Sequence, residues 1–409
     1  MDACDYLVRW KRSAVSSNLS FFGDSEGNCT TCSLNKDVCV CYGVPNPDHV
    51  MLPTNSPLIA ELLAECRGLH FDNVVASPLL LPDLRSVPFI PIVTGGGKKL
   101  FSEKFILPYV GVTLNDALNN AKTHAKPDIR TACGVPADTK IILLAHGNDV
   151  VLGKFSKHQR TIFKELALQD IYLNVAPNNS VWEGHPEIER LINMKLPLVS
   201  YDLMSKAGLC TVPHFLWRGD RSEDLEVIAR WLNRYPAVSM VAINLQTYQS
   251  QEDWQRVTAE LQMLHSLIDH QIHFLIIGPS TDIRILDISH ILGSSFTIMS
   301  ALPAILAWSR ADIVNSNRGV RRRVYTRKPE LQTGLFETGY PPTDPLVVAE
   351  LFATSNISLG THIKNLREPE IVGHIKQAMS VRSFKSRKVA ARKMPRSPKA
   401  VVSHAKVSA

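Results

Sequence analysis

Between Lys140 and Ser316 the chain alternates short, unbroken apolar runs with longer stretches whose apolar residues recur every three or four positions. The runs are "KIILLA", "IYLNVA", "PLVSY", "TVPHFLW", "VSMVAIN", "IHFLIIG", "SFTIM" and "ADIVNS". A strand buried on both faces of a parallel sheet is apolar on both sides, so it reads as a continuous run. In the stretch "EDWQRVTAELQMLHSLI", Trp254, Val257, Leu261, Leu264 and Ile268 fall on one helical face. "SEDLEVIARWLNR" does the same with Leu225, Ile228 and Leu232, and Ser222 fits as its N-cap.

Eight candidate strands alternating with helices predict an α/β fold, a (β/α) barrel. The run spans only 177 residues, against roughly 250 for that architecture. The barrel is therefore compact or incomplete, with an open doubly wound sheet as the alternative. Short extended pieces before Lys140, such as "SVPFIPIVTGGGKKLF", are able to complete it. "TLNDALNNAKTHA" predicts a helix capped by Thr113.

These patterns divide the chain. Residues 1–57 form an irregular segment, 58–139 a mixed connector packed on the barrel, and 140–330 the barrel-like core. Residues 331–375 make a helical extension and 376–409 a disordered basic tail, too poor in large apolar residues to offset its chain entropy. No stretch approaches the roughly 18 apolar residues of a membrane span. The first residues lack a signal-peptide core, so the expected location is cytoplasmic, with reduced thiols and no membrane partner.

Charge sharpens the division. The net charge is +7, but ten of the 45 basic residues lie in 376–409, which has no acid. The rest of the chain carries 35 basic against 38 acidic residues. A second basic run, with six Lys or Arg and no acid, spans Arg318 to Lys328. Such segments gain affinity for DNA or RNA by releasing phosphate counterions. The alternative is a solvated tail that aids solubility.

Candidate chemistry falls into two groups. Cys29, Cys32, Cys39 and Cys41 follow C-x2-C-x6-C-x-C, and the turn-forming spacer "SLNKDV" lets the chain fold back on itself. Four thiolates converging at about 2.3 Å would hold zinc, with an iron–sulfur cluster as the alternative. Unrelated free thiols, or disulfides in an oxidising compartment, are the remaining readings. Cys66, Cys133 and Cys210 read as packed thiols.

The second group lies at the expected C-terminal ends of the strands, where α/β proteins place their sites. Asp202 is the candidate nucleophile or general base there, and His146 and His214 are candidates for proton transfer or metal binding. Asn148, Asn178, Ser180, Asn244, Gln246 and Asn315 offer groups that suit neutral polar ligands. Trp217 offers an aromatic face, and Arg218 and Arg318 suit phosphate. Each of these also has a plain reading as a cap, a turn former or, for His214, a core histidine. "TGGGKKL" lacks the spacing of a phosphate loop.

The stretch from "YLNVAPNNSVWEGHPE" to "VPHFLWRGDRSEDLEVIARWL" resembles a phage- and bacterium-encoded domain-of-unknown-function family (DUF four-four-one-seven). The likeness rests on Pro177 and Ser180 after one strand, and on Gly208 before the "IP-x-x-x-W"-like strand "VPHFLW". It implies a phage or mobile-element setting and no particular reaction. More distantly, the architecture is similar to tRNA-guanine transglycosylase-type barrels, which use an Asp nucleophile and a cysteine-rich zinc site. There the zinc site follows the strands, whereas these cysteines precede them.

Together these features predict a metal-containing nucleic-acid or nucleotide-modifying enzyme. The alternatives are a non-catalytic nucleic-acid-binding accessory protein and a small-molecule enzyme.

Overall fold

The computed structural model describes residues 63–76, 81–93, 100–102, 106–114, 128–146, 149–179, 181, 187–217, 222–309, 311–316, 319–324 and 345–367. The cysteine cluster, the tail, most of the helix expected after Thr113, and Asn148, Ser180, Arg218 and Arg318 lie outside them.

The parallel strands are β1 (Phe89–Val93), β2 (Tyr109–Thr113), β3 (Lys140–Leu144), β4 (Leu173–Val175), β5 (Thr211–Val212), β6 (His214–Phe215), β7 (Met240–Asn244), β8 (His273–Ile277) and β9 (Phe296–Ser300). Their hydrogen-bonded order is β5-β4-β3-β2-β1-β9-β8-β7-β6. The two ends of that order are consecutive in sequence and separated only by Pro213. Proline has no N–H to donate, so it breaks the strand into two short pieces. Its carbonyl still accepts from Ala242 N at 2.9 Å, while Val212 O accepts from Ala176 N at 3.1 Å. β5 and β6 are thus one stave, and the nine strands close as an eight-stave (β/α) barrel.

The predicted barrel is present, but two staves differ from expectation. β1 and β2 complete the ring, so the barrel begins at Phe89, inside the stretch expected to be a connector. "PLVSY" is not a strand. It lies in the 20-residue helix Glu187–Lys206, which contains Pro197. From Leu191 to Tyr201 that helix is buried at every position but Asn193. A helix buried all round shows no polar face, so over five residues it reads like a buried strand. "ADIVNS" is a strand, β10 (Ala311–Ser316), but it pairs antiparallel with β11 (Gly319–Val324) outside the barrel.

The helices, in chain order, are α1 (Ile129–Cys133), α2 (Asp149–Leu166), α3 (Glu187–Lys206), α4 (Ser222–Arg234), α5 (Gln251–Leu267), α6 (Asp282–Leu292), α7 (Leu302–Trp308) and α8 (Pro345–Leu366). α5 is held as its pattern predicts. The Ser250 hydroxyl accepts from Asp253 N at 3.0 Å, and Trp254, Val257, Leu261 and Leu264 are buried. α4 starts at Ser222 and buries Leu225, Ile228 and Leu232, with Glu223 and Asp224 at its positive end. α8 packs on β1, α7 and β10, covering β1 from outside. No described helix is long and apolar enough to cross a membrane.

Strand alternation divides the core. Ile90, Ile92, Ile142, Leu144, Leu173, Val175, Val212, Met240, Ala242, Leu275, Ile277 and Met299 fill the barrel interior as one cluster. Their neighbours in sequence, among them Val112, Ile141, Leu143, Phe215, Val241, Ile243, Phe274 and Ile298, face the helices. Gly111 makes room inside: a Cβ there would sit 3.0 Å from Met299 Cε and 3.1 Å from Ile92 Cγ1.

Candidate functional site

The N-terminal end of the barrel is plugged. Leu84, on the segment before β1, is wholly buried within the interior cluster. Beside it, Thr297 Oγ1 lies 2.6 Å from Val87 O and 2.9 Å from His273 Nε2. The hydroxyl has one proton. Donated to Val87 O, it leaves Oγ1 to accept from His273 Nε2–H, and His273 Nδ1 is then a bare, buried acceptor. Burial pulls the His273 pKa down to about 4.

The opposite end carries polar residues. Strand alternation turns the last inward positions toward this mouth. Thr113 follows Gly111, His146 follows Leu144, His214 follows Val212, and Asn244 follows Ala242, each two residues on. The intervening residues Val112, Ala145 and Ile243, and Phe215 directly after His214, all belong to the outer clusters. His146 and His214 come from alternate staves, with β4 between them, as barrel layering requires.

Their rings stack with centroids 5.0 Å apart and planes 20° from parallel. His214 is fully buried, whereas His146 keeps part of its surface open. Among the described residues, both nitrogens of His214 and Nε2 of His146 lack a well-formed hydrogen bond, although the Ala176 and Pro177 backbone lies close enough to His214 to favour its proton. Burial pulls His146 down to about 4. His214 falls well below its ordinary value, through burial first and then through its neighbour His146. The nearby Ala176 and Pro177 backbone opposes this more weakly. Both rings are therefore uncharged at neutral pH, with lone pairs available.

The other candidates separate. Asn178 follows β4 at the same end and is half-buried. Asn244 is in the mouth layer, but its Oδ1 accepts from Gln246 N at 3.0 Å and so shapes the turn. Gln246 is exposed beyond it. Trp217 points outward: it is buried and its Nε1 donates to Glu260 on α5 at 2.8 Å. Trp217 is thus a core residue, not an aromatic platform. Asn315 lies on the β10–β11 hairpin, away from the strand ends of the barrel.

Asp202 is the main correction. It is on α3, not at a strand end, and its carboxylate is fully buried. Its Oδ2 accepts from Arg67 Nη1 at 2.6 Å and from Lys206 Nζ at 2.8 Å. Arg67 ends a helical turn in a left-handed conformation with φ 56°, followed by Gly68 at φ 73°. Gly68 N bonds Leu63 O and Arg67 N bonds Ala64 O, each at 3.0 Å, which closes a Schellman-type cap. The buried Lys195 Nζ reaches the Gly68 carbonyl at 2.5 Å and the Arg67 carbonyl at 3.3 Å. Asp202 therefore anchors the segment before the barrel to α3.

Among the described residues no three His, Cys, Asp or Glu side chains cluster as a metal site. Cys66 and Cys133 are buried and Cys210 is half-buried, and none of the three is in a disulfide among the described residues. The sequence reading missed the mouth position of Thr113, because an adjacent helix-like pattern made it look like a cap. It also missed that the two histidines meet, since 68 positions separate them in the chain. No protein-family model matches this sequence, and no curated protein matches it.

Proposed function

We propose that this protein is a barrel enzyme that receives a small, uncharged polar ligand at its C-terminal mouth, where His146 and His214 meet it. One observation carries this reading: two neutral imidazoles, stacked at 5.0 Å, cap an otherwise apolar interior at the end where barrels keep their sites. Buried acceptors without partners are destabilising, by about 1–3 kcal/mol each. A fold that keeps three ring nitrogens, donors and acceptors together, without a well-formed hydrogen bond among the described residues at one opening has a use for them. The described mouth layer of Thr113, His146, His214 and Asn244 carries neither a carboxylate nor a permanent cation, which favours neutral substrates. Thr113 and Asn244 supply hydroxyl and amide groups for orientation.

The test is a thermal-shift screen of the full chain against uncharged sugars, nucleosides and amides. Calorimetry on the hits follows, with wild type, His146→Gln and His214→Gln. Ligands that lose at least about tenfold in affinity in both variants, the loss of one good polar contact or more, support the reading. Hits that bind all three proteins equally overturn it.

A second reading rests on charge. The tail, with ten basic residues and no acid, and the Arg318–Lys328 run support nucleic-acid contact. Zinc or an iron–sulfur cluster on Cys29, Cys32, Cys39 and Cys41 would order the N-terminal segment. That combination fits the mobile-element setting implied by the family resemblance.

A further inference from the structure

We infer that the β10–β11 hairpin docks in the major groove of B-form duplex DNA, with Arg321 and Arg323 as its contact residues. This rests on the nucleic-acid reading of the basic segments and names the form of the partner.

The hairpin has two unlike faces. Successive residues of a strand alternate between faces, and residues directly opposite in an antiparallel pair share one. The register sets Ala311 opposite Val324, Ile313 opposite Arg322 and Asn315 opposite Val320. Ile313 is buried in the cluster that holds Leu306 of α7 and Leu359 and Ile363 of α8, so these positions form the packing face. Ala311, Ile313, Val320 and Val324 make that face mostly apolar, as packing requires. The other face sets Asp312 opposite Arg323, Val314 opposite Arg321 and Ser316 opposite Gly319. Ile313 N also donates to the Ser355 hydroxyl on α8 at 3.1 Å, which fixes β10 on the body. The result is a two-stranded ribbon held from one side, with two arginines two positions apart on the other.

That shape and charge fit a particular partner. The B-form major groove, about 12 Å wide, admits a two-stranded β-ribbon, and guanine offers O6 and N7 there to an arginine fork. Phosphate contacts from basic segments then fix the register of the protein on the duplex. The chain has such a segment in 376–409, with ten basic residues and no acid. The major groove of A-form RNA is deep and narrow, and side chains cannot read it, so the ribbon selects DNA. Asp312 is the one acid between 311 and 324 and stands opposite Arg323. Its charge opposes phosphate, so its removal should strengthen binding. The plain alternative is that the arginines only guard the strand against edge-to-edge pairing.

The probes are a mixed-sequence DNA duplex and the RNA duplex of the same sequence, titrated by anisotropy at several salt concentrations. Five full-length or shortened proteins are compared: wild type, the double variant Arg321→Gln, Arg323→Gln, the single variants Arg322→Gln and Asp312→Asn, and the chain lacking 376–409. Circular dichroism checks each fold. Wild type should bind the DNA duplex at least about tenfold more tightly than the RNA duplex. The double variant should lose at least about tenfold on DNA, with the slope of log K against log salt shallower by about 1–2. Arg322→Gln, on the packing face, should stay within about twofold of wild type, and Asp312→Asn should bind about two- to fivefold more tightly. Deleting the tail should weaken binding to both duplexes and keep the preference for DNA. DNA binding unchanged in the double variant, or equal affinity for the two duplexes, overturns the proposal. So does a loss in Arg322→Gln as large as in the double variant, because strand parity would then not matter. The two readings fail separately. Binding that the tail deletion abolishes and the double variant leaves intact keeps the nucleic-acid reading and removes the hairpin. Wild type that binds neither duplex removes both.

Discussion

Arg67 Nη1 lies 2.6 Å from Oδ2 of Asp202, across 135 positions of sequence, and ties the segment before the barrel to the helix between β4 and β5. The carboxylate has no exposed surface, and among the described residues Arg67 and Lys206 hold its charge. Breaking a buried pair on one side leaves the other charge uncompensated. Arg67 and Lys206 keep partial access to water and can rehydrate, which limits the loss. Asp202→Asn should therefore destabilise the protein by about 2–4 kcal/mol. Chemical denaturation measures this. Ligand binding at the mouth should be unchanged per folded molecule; a selective loss of binding with normal stability would return Asp202 to the site.

Gly278 follows β8 with φ 117°, a region closed to L side chains. A Cβ there would lie 2.6 Å from Gln246 Cγ and 2.9 Å from Gln246 Cα and N. Two of the three nearest atoms are backbone and cannot rotate away. Gly278 N also bonds Met299 O at 2.9 Å, and Leu245 N bonds Ile277 O at 2.8 Å, so both chains are fixed in the barrel ladder. Gly278→Ala should destabilise by at least about 1–3 kcal/mol and displace the Gln246 turn. Thermal unfolding together with amide exchange at 244–248 reads both effects. Wild-type values on both counts would contradict the geometry.

Acid should weaken the fold through three histidines whose charged forms the native state disfavours. In the native state His146 and His273 titrate at about 4, and His214 well below its ordinary value, against 6.5 for an unperturbed ring. Below pH 6.5 the unfolded chain takes up protons that the native chain refuses, so stability falls as pH falls. Their contribution is complete above 6.5 and is lost progressively toward 4. For the buried His273 the loss by pH 4 is on the order of 3 kcal/mol. Arg367 and Arg85 also disfavour its charge, while Asp83 favours it. His273→Gln should flatten the acid limb of a stability–pH profile measured by urea denaturation. An unchanged limb would show that His273 is already charged or solvated in the native state.

The tail makes a separate prediction. With ten basic residues and no acid in 376–409, binding to single- or double-stranded nucleic acid should weaken steeply with salt. Deleting 376–409 should lower affinity at least about tenfold and flatten the slope of log K against log salt. Anisotropy titrations at several salt concentrations measure both. Equal slopes with and without the tail would make it a solubility element.

The strands and helices that could be read from the sequence are those with a strong local pattern. α5 shows four buried positions at helical spacing and its serine cap. β7, β8 and β9 are five-residue strands made mostly of apolar residues, because both of their faces are covered. α3 could not be read this way, since burial on every side erased its polar face and Pro197 mimicked a strand boundary. β1 and β2 have strand-like sequences, but nothing local says which sheet they join.

Composition and period alone determined the class of fold, the neutral body with its basic tail, and the inventory of groups able to do chemistry. Tertiary structure decided which of those groups meet. Closure of β9 on β1 and of the β5–β6 stave between β4 and β7 brings His146 and His214 to 5.0 Å. The same closure leaves Asp202 on an outer helix and Trp217 against α5. Side-chain direction follows from strand parity, which the sequence carries. Proximity between distant strands follows from the order in which the ring closes, and only the packed barrel sets that order.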